Sequence, residues 1–113
     1  MNSPNGFFQK LINLESRSFS LQIQKFENGY FISVSEGPPK IGSMVVSLGT
    51  GPTPVTTTII PSRSESLFLK LIAERISVNM RGIALVSTFI QKELKPQTAK
   101  ALMSEIMDMI DND

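Results

Sequence analysis

The sequence predicts an α+β domain. An antiparallel sheet of five to six strands should carry two helices on one face and use its other face for dimerisation. Three observations support this class: β-branched, strand-like segments surround two segments of helical periodicity, an Asn-Gly pair marks a hairpin, and 113 residues are the usual size of one domain. We expect residues 17–113 to form this domain. Residues 1–16 form an amino-terminal segment whose structure the pattern leaves open.

The domain is predicted to begin with a β-hairpin. Asn28-Gly29 lies between two strand-like segments, and this dipeptide readily adopts the positive φ angles of a two-residue type I′ turn. The resulting register pairs Phe26 with Phe31 on one side of the hairpin. The other side presents five apolar side chains: Leu21, Ile23, Tyr30, Ile32 and Val34.

Two strands, a helix, a strand and a second helix follow. Residues 41–49 and 55–60 are rich in β-branched side chains and are predicted to continue the sheet as a meander. Ser62 and Glu65 have the spacing of a capping box and predict the start of the first helix. Residues 83–90 are almost all apolar, which indicates a strand in the middle of the sheet.

Each predicted helix has one apolar face. In the first helix, that face consists of Leu67, Phe68, Leu71, Ile72 and Ile76. In the second, which Pro96 opens, it consists of Ala99, Leu102, Met103, Ile106 and Ile110. Two such helices cover one face of a five-stranded sheet but not both.

The face without helices is the predicted interaction surface. Both alternating sets of side chains in several strands are apolar or β-branched, and an exposed apolar patch usually marks a binding site. We expect two sheets to pack face to face with the helices outside. The candidate dimer-interface residues are Phe26, Phe31, Val45 and Val86.

The alternative is a closed monomer in which the amino-terminal segment folds across the open face. Its apolar side chains would be Phe7, Phe8 and Leu11. Residues 7–14 fit either a short amphipathic helix or an extra edge strand, because periodicity over so few residues does not decide between them.

Composition disfavours several other functions. The chain has no histidine, cysteine or tryptophan, so the commonest nucleophiles, general bases and zinc ligands are missing, and we expect no enzyme and no cofactor. Eleven basic and ten acidic residues give a net charge of +1, which disfavours nucleic-acid binding, although Phe26 and Phe31 could stack bases. Glu105 and Asp108 are predicted to lie on a solvated helix face. No apolar run approaches the roughly 20 residues that span a bilayer, and we expect a cytoplasmic protein.

Two exposed features are candidate contacts for a protein partner. The loop of residues 49–54 contains Gly-Thr-Gly but lacks the Gly-Lys-Ser/Thr ending of a phosphate-binding loop, and it joins two strands. The end of the second helix carries carboxylates that oppose the helix dipole; they either form a frayed polar tail or contact a basic partner. The candidate contacts are Thr50, Gly51, Thr53, Asp108 and Asp111.

The chain resembles a known family over residues 17–110. Residues 41–48, Pro54-Val55 with the threonines that follow, the helix around residues 71–76 and the strand at 83–87 occur in the order of the small proteasome assembly chaperones 3 and 4. The resemblance implies a non-catalytic chaperone, expected to be of the archaeal type, that binds proteasome α-subunits and assists assembly of the α-ring. It implies a dimer, either with itself or with a related small chaperone. The alternative is a small dimeric scaffold or regulatory protein with a different protein partner.

Overall fold

The computed structural model describes residues 5–62 and 67–111, which form a six-stranded sheet and two helices. The strands are β1 (Phe7–Leu14), β2 (Arg17–Phe26), β3 (Gly29–Glu36), β4 (Ser43–Leu48), β5 (Val55–Ile60) and β6 (Ile83–Phe89). The helices are α1 (Leu67–Met80) and α2 (Pro96–Asp111). The α+β class is confirmed, and residues 7–14 are an edge strand. The predicted capping box lies partly outside the described residues, because Glu65 is not among them.

The strand order corrects the predicted meander. The sheet has the order β1-β2-β3-β6-β4-β5, so β6 lies between β3 and β4. It is antiparallel to β4 but parallel to β3, so the sheet is mixed rather than fully antiparallel. The predicted central position of β6 is confirmed. Strands β3 and β4 follow each other in the chain but are separated in the sheet by the width of one strand. Strand β6, which follows α1, occupies that position.

The β2–β3 hairpin keeps its predicted buried side but has a different register. Phe26 pairs with Gly29 and Phe31 pairs with Gln24, so the loop is Glu27-Asn28 and the predicted Phe26–Phe31 pair is wrong. Because the register shifts by two residues, the same side chains face the core. The five predicted apolar residues are all buried: Leu21, Ile23, Tyr30, Ile32 and Val34.

Close packing against β6, and not a positive φ angle, explains Gly29. Neither Asn28 nor Gly29 has a positive φ angle. A Cβ atom at Gly29 would lie only 2.2 Å from the Ile83 carbonyl oxygen, well inside van der Waals contact. Glycine therefore allows β3 and β6 to approach each other at the start of their parallel pairing.

The turn between β1 and β2 has the geometry that was expected at Asn28-Gly29. Leu14 pairs with Arg17, and the two central residues, Glu15 and Ser16, have φ angles of 52° and 64°. Positive φ at both positions is what a type I′ turn requires. Glu15 also accepts a hydrogen bond from Thr98 of α2, which ties the turn to the helix.

Both helices lie on one face of the sheet. Helix α1 packs on β4 and β6, and α2 lies over β1, where Glu105 forms an ion pair with Lys10. The core between the helices and the sheet includes fully buried side chains from both layers: Phe19, Leu21, Ile32, Val45, Val86, Ile72, Leu102 and Ile106.

The buried stripe of α1 differs from the predicted one. It consists of Leu69, Ile72, Ala73, Ile76 and Ser77. The predicted members Leu67 and Leu71 are instead 58% and 47% exposed. The helix carries two overlapping apolar stripes, and only one of them faces the sheet.

Replacing Ser16 by glycine should stabilise the protein. A left-handed conformation is unfavourable for a residue with a Cβ atom, so we expect Ser16→Gly to raise the free energy of unfolding by about 0.5 to 1 kcal/mol. Urea denaturation followed by circular dichroism measures this change. Ser16→Ala keeps the Cβ atom and should give no gain; equal stabilisation by both variants would contradict the explanation.

Candidate protein-interaction surface

The sheet face opposite the helices is apolar at one end. Register places Phe31, Leu85 and Val46 side by side on β3, β6 and β4. Phe26, Leu48 and Val55 lie around this row and are 52%, 42% and 58% exposed. We call the group the open-face patch; it consists of Phe26, Phe31, Val46, Leu48, Val55 and Leu85.

Two of the four predicted interface residues do not lie on this face. Phe26 and Phe31 belong to the open-face patch. Val45 and Val86 have 0% exposure and lie in the core beneath the helices, so their prediction as interface residues is corrected. Alternation along β4 and β6 places their neighbours Val46 and Leu85 on the open face. The sequence shows the two alternating sets but not which set the helices cover.

The amino-terminal strand does not cover the open-face patch. Strand β1 extends the sheet at its edge, and Phe8 contributes to the helix-side core. Phe7 and Leu11 are on the same side as the open-face patch and remain 39% and 73% exposed. The predicted closure of the face by these three side chains is therefore wrong.

The other end of the open face is covered by the connection between β3 and β4. Three buried serines, Ser20, Ser35 and Ser87, hydrogen-bond to the backbone of residues 37–42 at 2.8 to 3.1 Å. The connection therefore buries these serines, and their hydroxyl groups form hydrogen bonds with its backbone. The open-face patch lies at the opposite end of the sheet, whereas Leu11, Ile41 and Ile60 are exposed near the connection.

The predicted partner contacts lie in two separate places. Thr50, Gly51 and Thr53 are exposed in the turn between β4 and β5, and Asp108 and Asp111 are exposed near the end of α2. Within residues 5–62 and 67–111, no hydrogen bond or ion pair joins the two groups. They are accessible, but the structure does not combine them into one site.

A partly buried ion pair fixes the segment between β6 and α2. Arg17 Nε and Nη2 donate to the two carboxylate oxygens of Glu36 at 3.0 and 2.8 Å, and these side chains are only 17% and 14% exposed. Arg17 Nη2 also donates to the Lys92 carbonyl at 2.8 Å, and the Gln91 N–H donates to Glu36 at 2.9 Å. The pair therefore links β2 and β3 to the segment that leads into α2.

This arrangement shifts the titration of both groups. The hydrogen bond from Arg17 lowers the pKa of Glu36, and the backbone N–H of Gln91 lowers it further, against the opposing effect of desolvation. The same hydrogen bond to Glu36 raises the pKa of Arg17. The charged form of both side chains is thus favoured in the folded protein.

Two further carboxylates of the described residues, Glu74 and Glu105, make structural contacts. Glu74 accepts a hydrogen bond from Thr56 at 2.8 Å. Glu105, predicted to be solvated, forms an ion pair with Lys10. Among residues 5–62 and 67–111, no three potential metal-ligating side chains cluster. Neither of the two described helices, α1 and α2, has the length and apolar character of a membrane-spanning segment.

Comparison with known proteins identifies a structural likeness but no relative by sequence. No protein family and no curated protein matches the chain. Among solved structures, it is similar to one described as the crystal structure of a novel chaperone complex for yeast 20S proteasome assembly. The TM-score is 0.69, 94% of each chain is covered, and the sequence identity is 9%. At this identity the likeness shows a shared fold: the chain has the α+β architecture found in that chaperone complex.

Removing the Glu36 charge should change how stability depends on pH. Because the folded-state pKa of Glu36 is lowered, its contribution is present above its ordinary unfolded value and is lost as pH falls towards the folded value. We expect Glu36→Gln to cost about 2 kcal/mol near neutral pH and to reduce the loss of stability between about pH 6 and pH 3. Urea denaturation across this range measures both effects.

Glu105→Gln is the matched control, because it removes a carboxylate from the more exposed pair with Lys10. It should cost no more than about 1 kcal/mol. If Glu36→Gln lost as much stability at low pH as the wild type does, Glu36 would not be the cause of that loss.

Proposed function

We propose that the chain is a cytoplasmic, non-catalytic chaperone that binds proteasome α-subunits and assists assembly of the α-ring. In this proposal it acts as a dimer joined through the open-face patch. The uncovered apolar face carries the proposal, because exposed apolar patches usually mark sites that bind another protein. The fold likeness to a proteasome assembly chaperone complex supports the kind of partner, as does the sequence resemblance over residues 17–110.

The two-layer architecture supports face-to-face packing. Helices cover one face of the sheet, and a second sheet would cover the other in the manner of a β-sandwich. A two-fold axis near the row of Phe31, Leu85 and Val46 would bring the same patch of each subunit together. A homodimer is the simplest arrangement. In the alternative heterodimer, a related small chaperone with a matching sheet face would take the place of one copy.

The proposed α-subunit contacts lie outside the proposed dimer interface. Thr50, Gly51 and Thr53 are in the turn beyond the ends of β4 and β5, and Asp108 and Asp111 are on the helix layer. Neither group is part of the open-face patch. The acidic end of α2 would favour a basic surface on the α-subunit, because cations offset negative charge at a helix C-terminus.

Charges placed on the open-face patch should dissociate the dimer. In Val46→Glu/Leu85→Glu, association would bury unpaired carboxylates, so we expect dimerisation to weaken on the order of 100-fold or more. Size-exclusion chromatography with light scattering measures the mass, and circular dichroism checks the fold. Val78→Glu changes an apolar residue of α1 that is 48% exposed, and this control should remain dimeric. A monomeric wild type would contradict the proposed interface.

The same experiment with an unassembled proteasome α-subunit tests the chaperone function. We expect the wild-type dimer to form a larger complex, and Asp108→Lys/Asp111→Lys to stay dimeric but bind the α-subunit at least about tenfold more weakly. Ser104→Lys, an exposed position of the same helix, is the control for added charge. A stable dimer that ignores the α-subunit would contradict the chaperone function and favour a scaffold with another partner.

A further inference from the structure

A second apolar surface lies on the helix side of the molecule, away from the open-face patch. It is a groove of about 810 Å³ between α1 and the first half of α2, at the sheet end where β6 leaves for α2. Phe68 and Leu71 line it from α1, and Met103 lines it from α2. Ile90 and Leu94, in the segment between β6 and α2, also line it.

The groove contains two apolar side chains of α1, Leu67 and Leu71, that folding leaves partly exposed. The buried stripe of α1 faces the sheet, whereas Leu67 and Leu71 line the groove with 58% and 47% of their surfaces exposed. The ion pair of Arg17 and Glu36 holds the backbone of residues 91–92 that forms one wall. The groove is therefore part of the folded structure and has apolar surface available for a ligand.

Positive charge surrounds this apolar surface. Arg75 of α1, Lys92 before α2 and Lys100 of α2 line the groove and are exposed. Within the described parts of the chain, none of these three side chains forms an ion pair. Among the described residues that line the groove, Glu93 is the single carboxylate. The described lining residues thus carry an excess of two positive charges, although the net charge of the whole chain is only +1.

We propose that this groove binds a short peptide segment of a partner protein, in which apolar side chains alternate with aspartate or glutamate. The positive charges favour acidic side chains in the bound peptide, and the exposed leucines favour apolar side chains in the same peptide. The three cations come from three different elements around an open groove, which suits several carboxylates along a peptide better than one anionic headgroup. The inference does not depend on the proposed chaperone function, and a face-to-face dimer would carry two such grooves on its outer surfaces.

Peptide arrays and fluorescence polarisation test the proposal. The probes are peptides of about seven residues in which Leu, Ile or Phe alternate with Asp or Glu, and a matched set has Lys and Arg in the acidic positions. We expect the acidic set to bind the wild type. Arg75→Glu/Lys100→Glu should weaken that binding at least about tenfold and gain binding to the basic set. Lys70→Glu, an exposed residue of α1 that does not line the groove, should leave binding unchanged.

Several outcomes would overturn the proposal. These are failure of every acidic peptide to bind, equal binding of the acidic and basic sets, or equal weakening by Lys70→Glu. Binding of an anilinonaphthalene sulfonate dye without binding of any acidic peptide would also overturn it, in favour of a small anionic ligand. Thermal unfolding checks that the variants fold. The mass of the dimer and its binding to the α-subunit, measured on the same samples, separate failure of this proposal from failure of the proposed function.

Discussion

The close approach of β3 and β6 is the constraint on which the rest of the architecture depends. Strand β6 fills the centre of the sheet and pairs on both sides, parallel to β3 and antiparallel to β4. At the start of β6, the Ile83 carbonyl occupies space that a side chain on Gly29 would need. Without this contact, the β1–β2–β3 unit and the β4–β5 pair would not be joined into one sheet. The position of α1 follows from it, because the helix must return the chain from the edge strand β5 to the centre.

The central position of β6 also explains why the molecule has two different apolar surfaces. A strand with apolar residues on both faces needs two covering layers, but the helices supply only one. Val86 is buried beneath that layer, whereas Leu85 faces the open side. The helices cover different parts of the sheet and leave a groove between them, into which α1 turns Leu67 and Leu71. The open-face patch therefore results from the uncovered side of the sheet, and the groove results from the spacing between the two helices.

The strands and helices could be predicted from the sequence more fully than the order and direction of the strands in the sheet. Local periodicity identified the central strand and both helices, because burial on one face leaves a repeating pattern. It did not identify the parallel pairing of β6, which depends on residues far apart in the chain. The Asn28-Gly29 signal predicted the hairpin but misplaced its turn, because Gly29 is required by packing against Ile83. The type I′ turn at Glu15-Ser16 has no corresponding signal in the sequence.

The candidate surface was predictable as a face, but not residue by residue. Alternation revealed that both sides of β4 and β6 were apolar, and the choice between Val45 and Val46 depended on where the helices pack. The same problem applied to α1, whose two apolar stripes overlap in sequence. Only the rotation of the helix about its axis distinguishes Ile72, which is buried, from Leu71, which is exposed.

The late position of β6 in the chain has a consequence for folding during synthesis. The first five strands emerge from the ribosome before it, and two neighbours in the final sheet order, β3 and β4, do not pair with each other. Until residues 83–89 emerge, the nascent chain holds two separate pieces of sheet, each with an unpaired inner edge. Such edges are prone to pair with other chains, and long-range pairing is slow to form. The nascent protein therefore passes through a stage at which unpaired strand edges in the middle of the future sheet are open to pairing with other chains.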